Sequence, residues 1–214
     1  MNTIGALVKK DLLLIWKGGA KVLILLFIIY VALPLFSGAD ESALTLGAML
    51  CILCPAMQMS TFSMDEAARW NGYVLSAPVT RGQLVWSKYA SAFALACIGE
   101  VTLAAYMLLV YLMGAGEMLT LLPGTLLNGM LVSVLFTSLV LPIVFRFGVE
   151  RGRIIFIVFC GVAGASAAVL SITTAASPRW NSGVVSAIFI AAVLVLAAVS
   201  VRISLAVFSK KEIE

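Results

Sequence analysis

Apolar residues fall into six long runs, and polar and charged residues gather between them. The runs are Val22–Phe36 (extended backwards through Gly18–Lys21), Leu44–Phe62, Tyr89–Met113, about Thr125–Phe145 with Pro142 near its end, Ile154–Ala176 and Val184–Phe208. A helix crossing a hydrocarbon core of about 30 Å needs about 20 mostly apolar residues. Each run therefore predicts a membrane-spanning helix. The linkers are short, the longest being Ser63 to Ser87. The pattern predicts an all-α integral membrane protein, with six transmembrane helices in a single domain over residues 1–214 and no soluble appendage.

Ahead of the first run, Ile4, Leu7, Val8, Leu14 and Ile15 share one face of a helical wheel, and Lys9, Lys10 and Lys17 lie opposite. Basic residues facing an apolar stripe predict an N-terminal interfacial helix in the headgroup layer. Asp11 falls inside the stripe and spoils it; pairing with a basic loop and contact with a partner subunit are both open. Lysines, an apolar run and Ser37-Gly38-Ala39 imitate a signal peptide loosely, but the leader is long for one, and the first run is kept as a span.

Composition agrees with this pattern. Of 214 residues, 63% are hydrophobic and 11% charged, against about 45–50% and about 25% in soluble domains. That excludes a soluble globule, a disordered chain and a nucleic-acid-binding module, despite a pI near 9.0. With six spans, all 14 Lys and Arg residues except Arg179 fall on one side, together with both termini. The positive-inside bias places that side in the cytoplasm. The outward loops carry Asp40, Glu41 and Glu117. Net positive charge is thus mostly a topology signal, with some contact to anionic membrane lipids.

The same counts limit the chemistry. There is no His, which removes the commonest general base and metal ligand. Cys51 and Cys54 have C-x-x-C spacing, but inside an apolar helix and without a second pair they read as small buried thiols. With no His, one central acid and no G-x-S-x-G element, an intramembrane Ser protease or metal-dependent enzyme is excluded, and no catalytic, cofactor-binding or metal site is expected. Glu100 stands near the middle of the third span, where an acid is costly unless satisfied. It either lines a substrate path or dimer seam, or is a protonated carboxyl bonded to a neighbour such as Thr102, Tyr106 or Asn128. An ion-coupled secondary transporter would use it as a proton site, but such proteins show internal repeats that are absent here. Gly161/Ala165 and Gly164/Ala168 have small-xxx-small spacing suited to close helix packing.

The linker after the second run carries most of the information. Ser63 with Glu66 has capping-box spacing, which predicts a helix from Met64 with Asp65 and Glu66 in its first turn. Trp70, Tyr73 and Val74 then form one apolar face with Arg69 beside it. Pro78 should stop the helix near Ser76. Thr80 with Gln83 is a second capping box, opening a helix that runs through Lys88 into the third span. The short helix is either an aromatic anchor at the interface or a coupling helix docked to a cytosolic partner.

The run Asp65-Glu66, Arg69-Trp70, Tyr73, Leu75-Ser76-Ala77-Pro78-Val79-Thr80-Arg81 and Lys88-Tyr89 resembles the first cytoplasmic loop of small bacterial ABC-2-type transporter permeases. Leu141-Pro142-Ile143-Val144-Phe145-Arg146-Phe147-Gly148-Val149-Glu150-Arg151-Gly152-Arg153 looks like that family's loop between the fourth and fifth spans. Val8-Lys9-Lys10-Asp11-Leu12 resembles its N-terminal Lys-Asp-Leu element. Ala77 departs from relatives that carry a larger apolar residue before the proline.

The resemblance implies the membrane half of an ATP-driven exporter, not catalytic itself, in a bacterial cytoplasmic membrane. No G-x-x-x-x-G-K-[ST] loop is present, so a separate ABC ATP-binding subunit would supply the ATP and Mg site. The expected partners are that subunit, a second permease copy or close paralogue, and a peptide-like substrate; no nucleic acid is involved. Asp65, Glu66, Arg69, Trp70, Tyr73 and Pro78 would couple to the ATPase, and Arg146, Glu150, Arg151 and Arg153 would form the second cytoplasmic loop. Compact relatives are associated with amphipathic, bacteriocin-like and cytolytic peptides such as phenol-soluble modulins, which makes peptide export the expected task. A membrane immunity or scaffold protein is an alternative with no residue to motivate it.

Overall fold

The computed structural model describes residues 3–32, 39–76, 78–113, 118–158, 160–161 and 182–210, and every regular element among them is an α-helix. In chain order these are α1 (Thr3–Ala32), α2 (Ala39–Ala67), α3 (Trp70–Ser76), α4 (Arg81–Leu112), α5 (Met118–Phe147), α6 (residues 149–158) and α7 (Ser182–Lys210). Among the described residues, three helices are long and apolar enough to cross a membrane: Arg81–Leu112, Leu122–Phe147 and Phe189–Phe208. The end of the first apolar run, most of the fifth, Ala77, Glu117, Arg179 and the Gly164, Ala165 and Ala168 positions lie outside the described residues.

Several boundaries differ from the sequence reading. Interfacial helix and first span are one uninterrupted helix, α1, with Leu7, Asp11 and Ile15 buried along a single face. Asp11 completes that face instead of spoiling it, because its charge is met from α4. The helix expected to start at Met64 is in fact the last turn of α2, which runs on to Ala67. Ser63 caps nothing there: its hydroxyl donates to the Met59 carbonyl of its own helix (3.3 Å). The break comes instead at Arg69, whose φ of 48° puts it in the left-handed region, and α3 has only seven residues. Asp40 and Glu41 fall in the first turn of α2 instead of a loop.

α2 and α5 begin ahead of their apolar runs, at Ala39 and Met118, whereas the boundaries around Pro78 match. α3 stops at Ser76, ahead of Pro78. Thr80 and Gln83 exchange both capping-box bonds, Gln83 N–H to Thr80 Oγ1 at 3.3 Å and Thr80 N–H to Gln83 Oε1 at 3.0 Å. α5 continues through Pro123 and Pro142 to Phe147. Gly148, at φ 83°, makes the left-handed turn into α6, and Gly152 admits Val144, whose Cγ2 would lie 2.8 Å from an added Cβ.

α4 and α5 form the centre, packed on each other, with α1 and α2 against α4, α2 also against α5, and α7 against both. Leu7, Val74, Leu84, Leu141, Phe145 and Phe208 form one cluster, so the starts of α1 and α4, the ends of α5 and α7, and α3 share one end of the bundle. Leu46, Leu50, Leu103, Tyr106 and Met107 form a separate cluster further along. The outer surface is apolar, with Ile28, Phe93, Val101, Leu112, Leu194 and Val195 all exposed. A face of that kind needs a hydrocarbon surrounding. Cys54 is a packed thiol, its Sγ 3.6 Å from the Leu95 carbonyl and 2.9 Å from where a Cβ on Gly99 would stand.

Candidate functional site

At the α3 end, four ionic side chains from three helices converge in a nearly dry space. α1 supplies the adjacent Lys10 and Asp11, α2 supplies Asp65 from its last turn, and α4 supplies Lys88 two turns from its start. Lys10 Nζ lies 2.6 Å from Asp65 Oδ1 and 3.1 Å from Asp11 Oδ1. Lys88 Nζ lies 2.6 Å from Asp65 Oδ2 and 3.0 Å from the Asp11 carboxylate. The Asp11 and Lys88 side chains are only 1% and 3% exposed. Two cations and two anions alternate, so the group is neutral as a unit, and each carboxylate faces both ammoniums.

Neutral groups complete the shell. Ser91 Oγ donates to Asp11 Oδ2 (3.2 Å), and Gln58 Nε2 donates to Ser91 Oγ (3.0 Å). The Lys10 ammonium stands 4.6 Å over the Trp70 ring and that of Lys88 4.8 Å from the Phe62 ring, both within cation–π range. Burying such ions is expensive unless every one is met; here the geometry meets them. Through Trp70, the first residue of α3, the short helix rests on this cluster, and Val74 anchors its other turn in the apolar core.

The outward side of the same end is polar and open. Arg69, Tyr73 and Pro78 are exposed, Tyr73 to 71%. Glu66, also exposed, reaches across to the second motif, with Oε1 3.6 Å from the position of a Cβ on Gly148. Arg153 donates from Nη2 to Ser63 Oγ at 3.2 Å. Arg146, Glu150 and Arg151 are exposed on the same α5–α6 corner, Arg146 against its neighbour Phe147. The two stretches singled out in the sequence thus meet in space. Asp65 departs from its companions: it is buried in the ion cluster, and Trp70 is half-buried beside it.

Lys10, Asp11, Lys88, Gln58 and Ser91 were missing from the sequence-derived site. Asp11, on an apolar stripe, and Lys88, at the threshold of an apolar run, were signalled by misplacement and, with Lys10, by the motifs that carry the family resemblance; Gln58 and Ser91 had no signal. Glu100 is elsewhere, three turns along α4 from Lys88. Its carboxylate presses on Gly129 of α5, where an added Cβ would lie 2.5 Å from Oε1. Oε2 is buried without a hydrogen-bond partner among the described residues. Thr102, one partner considered for it, donates instead to the Ile98 carbonyl of its own helix (2.8 Å). No group of His, Cys, Asp and Glu among the described residues has a metal-binding arrangement.

A family model described as ABC-2 family transporter protein matches residues 6–209. No curated protein and no solved structure matches the chain.

Proposed function

The chain belongs to the ABC-2 family of transporter proteins, the membrane permease component of ABC transporters, and from that premise we propose that it is the permease of an ATP-driven exporter of amphipathic or hydrophobic peptides. Six spans place both termini, the α2–α4 connection and the α5–α6 corner in the cytoplasm. A separate ATP-binding subunit docks there, and two permease copies enclose the path between them. Glu100 lies on that path or at the seam between copies.

The observation that carries the coupling role is the convergence of both loop motifs on one end of the bundle, directly over the buried ion cluster. Motion of a docked ATPase reaches α3 through its exposed side, Arg69, Tyr73 and Pro78. From α3 it passes through Trp70 to Lys10 and so to Asp65, Asp11 and Lys88. Three long helices then receive the displacement together, instead of only the two that flank the loop. A neutral cluster with three of its four members buried suits that task, because Asp11, Asp65 and Lys88 cannot be separated without exposing bare charge.

Co-purification of the full-length chain with an ATP-binding subunit tests the reading. Tyr73→Asp, at an exposed position whose ring touches that of Trp70 (centroids 5.6 Å apart), should abolish the association and the coupled ATPase activity while the permease stays folded. Unchanged association and ATPase activity would remove α3 as the docking element. ATP-dependent accumulation of a fluorescent amphipathic peptide in inverted vesicles tests both direction and cargo class.

A further inference from the structure

α4 and α7 run antiparallel, the start of one beside the end of the other. Arg81 Nη1 donates to the Phe208 carbonyl at 3.5 Å, and Gly82 lies against Leu205. Further along, Tyr89 Oη bonds Ser200 Oγ (2.7 Å) and Ser204 Oγ (2.8 Å). Between the two helices lie two cavities. One, of about 480 Å³, is bounded by Arg81, Gly82, Arg202 and Leu205. The other, of about 340 Å³, is bounded by Trp86, Phe93, Ala197 and Val201, with α5 as its floor.

Helical register joins them. On α4, Gly82 of the first cavity is followed at i+4, i+8 and i+11 by Trp86, Ala90 and Phe93 of the second. On α7, Ala197 and Val201 of the second are followed in the same steps by Leu205 and Phe208 of the first. Residues at those spacings share a helix face, so the cavities are successive parts of one groove. Its inner part offers hydrocarbon, for the hydroxyls of Tyr89 and Ser138 are spent within the protein, Ser138 on the Val134 carbonyl at 2.7 Å. Its outer part carries two guanidinium groups. Both arginines are exposed, and Arg202 has no acidic partner among the described residues.

We infer that the α4–α7 groove binds one anionic phospholipid, with its phosphate between Arg81 and Arg202 and an acyl chain laid along Trp86, Phe93, Ala197 and Val201. Charge complementarity selects the occupant: two cations at the mouth of an apolar trough fit an acidic head on a long hydrocarbon tail. Guanidinium groups bind phosphate oxygens in paired bonds, and interfacial basic residues favour anionic leaflets. The inference rests on the membrane orientation proposed above, in which this end meets the cytoplasmic headgroups.

Native mass spectrometry of the full-length chain, titrated with equimolar dioleoylphosphatidylglycerol and dioleoylphosphatidylcholine, tests it. The first lipid retained should be phosphatidylglycerol by roughly twenty-five-fold, since each of the two interfacial arginines is worth about fivefold toward an anionic lipid. Arg81→Gln with Arg202→Gln should bring the ratio to near one. Ala90→Leu with Ala197→Leu, which fills the trough and leaves both arginines, should lower retention of the first lipid several-fold. Equal retention of the two lipids by the unaltered chain overturns the inference, as does a preference that survives loss of both arginines. Displacement by inorganic phosphate in large excess also overturns it, leaving a phosphate site without a lipid tail. None of these readouts depends on transport or on an ATPase, so their failure is distinct from failure of the permease reading.

Discussion

Two places in this apolar chain hold acids with buried carboxylate oxygens, and they are handled in opposite ways. At the α3 end, Asp11 and Asp65 are each bracketed by Lys10 and Lys88 at 2.6–3.1 Å. Three turns along α4, Glu100 has a glycine beneath it and one oxygen without a hydrogen-bond partner among the described residues. The first arrangement is closed, because every charge is met inside the chain and nothing further is required. The second is open, and the residue is held by shape, with Gly129 making the space. Closed charge suits a part that must stay rigid while force passes through it; open charge suits a part that awaits something from outside.

Breaking the closed cluster should give the largest effect. Lys88→Met leaves two buried carboxylates with Lys10 alone, and removing one partner of a buried ion pair costs about 3–5 kcal/mol. The thermal transition of the full-length chain in detergent should fall steeply and expression should drop. Lys88→Met combined with Asp11→Asn restores one cation to one anion and should recover part of the loss. A single variant as stable as the parent would mean that water or a rearranged Lys10 replaces Lys88, and that the cluster is not closed.

The same contrast explains what was legible from the chain. The Thr80 cap and the stop before Pro78 depend on neighbours within four residues, and α3 and α4 follow them. Glu100 was legible as an anomaly because one acid in an apolar run stands out unaided. The ion cluster was not, because residues 10, 65 and 88 become neighbours only when three helices pack, and no spacing rule relates them. Asp65 shows the consequence: beside Ser63 and Glu66 it reads as a first-turn acid complementing a helix dipole, whereas packing turns it inward to two lysines. The start of α3 was misplaced for a related reason, since Ser63 satisfies its hydroxyl within α2 and leaves Arg69 to make the turn.

An intermediate effect should come from closing the space beneath the open acid. Gly129→Ala puts a methyl 2.5 Å from Glu100 Oε1, nearer than carbon and oxygen can approach, so α5 or the carboxylate must move. Overpacking of this kind costs about 1–3 kcal/mol. Glu100→Ala in the same background removes the clashing atoms, so the pair should be strongly non-additive in thermal stability. Additive losses would show that Gly129 matters for a helix contact unrelated to Glu100.

The sharpest form of the comparison comes from one chemical substitution made in both places, and its Glu100 half should give the smallest change in stability of all. Asp65→Asn removes the anion between two lysines and should lose on the order of 2–4 kcal/mol, because the buried Lys88 and the partly exposed Lys10 are left with Asp11 alone. Glu100→Gln keeps the length and planarity of the side chain and replaces a carboxyl whose Oε2 has no hydrogen-bond partner among the described residues. Its effect on the thermal transition should be within about 0.5 kcal/mol or slightly stabilising, the range of a substitution that breaks no satisfied interaction. Transport should respond in the reverse order of expectation from stability. If Glu100 receives a cationic group of the cargo or a polar group of a second copy, Glu100→Gln lowers peptide accumulation in inverted vesicles while the protein remains as stable as the parent. Full transport together with full stability would make Glu100 a bystander, and the open site would then have no task. A large loss of stability would instead mean that the unpartnered oxygen is satisfied within the folded chain, and the distinction between the two acids would collapse.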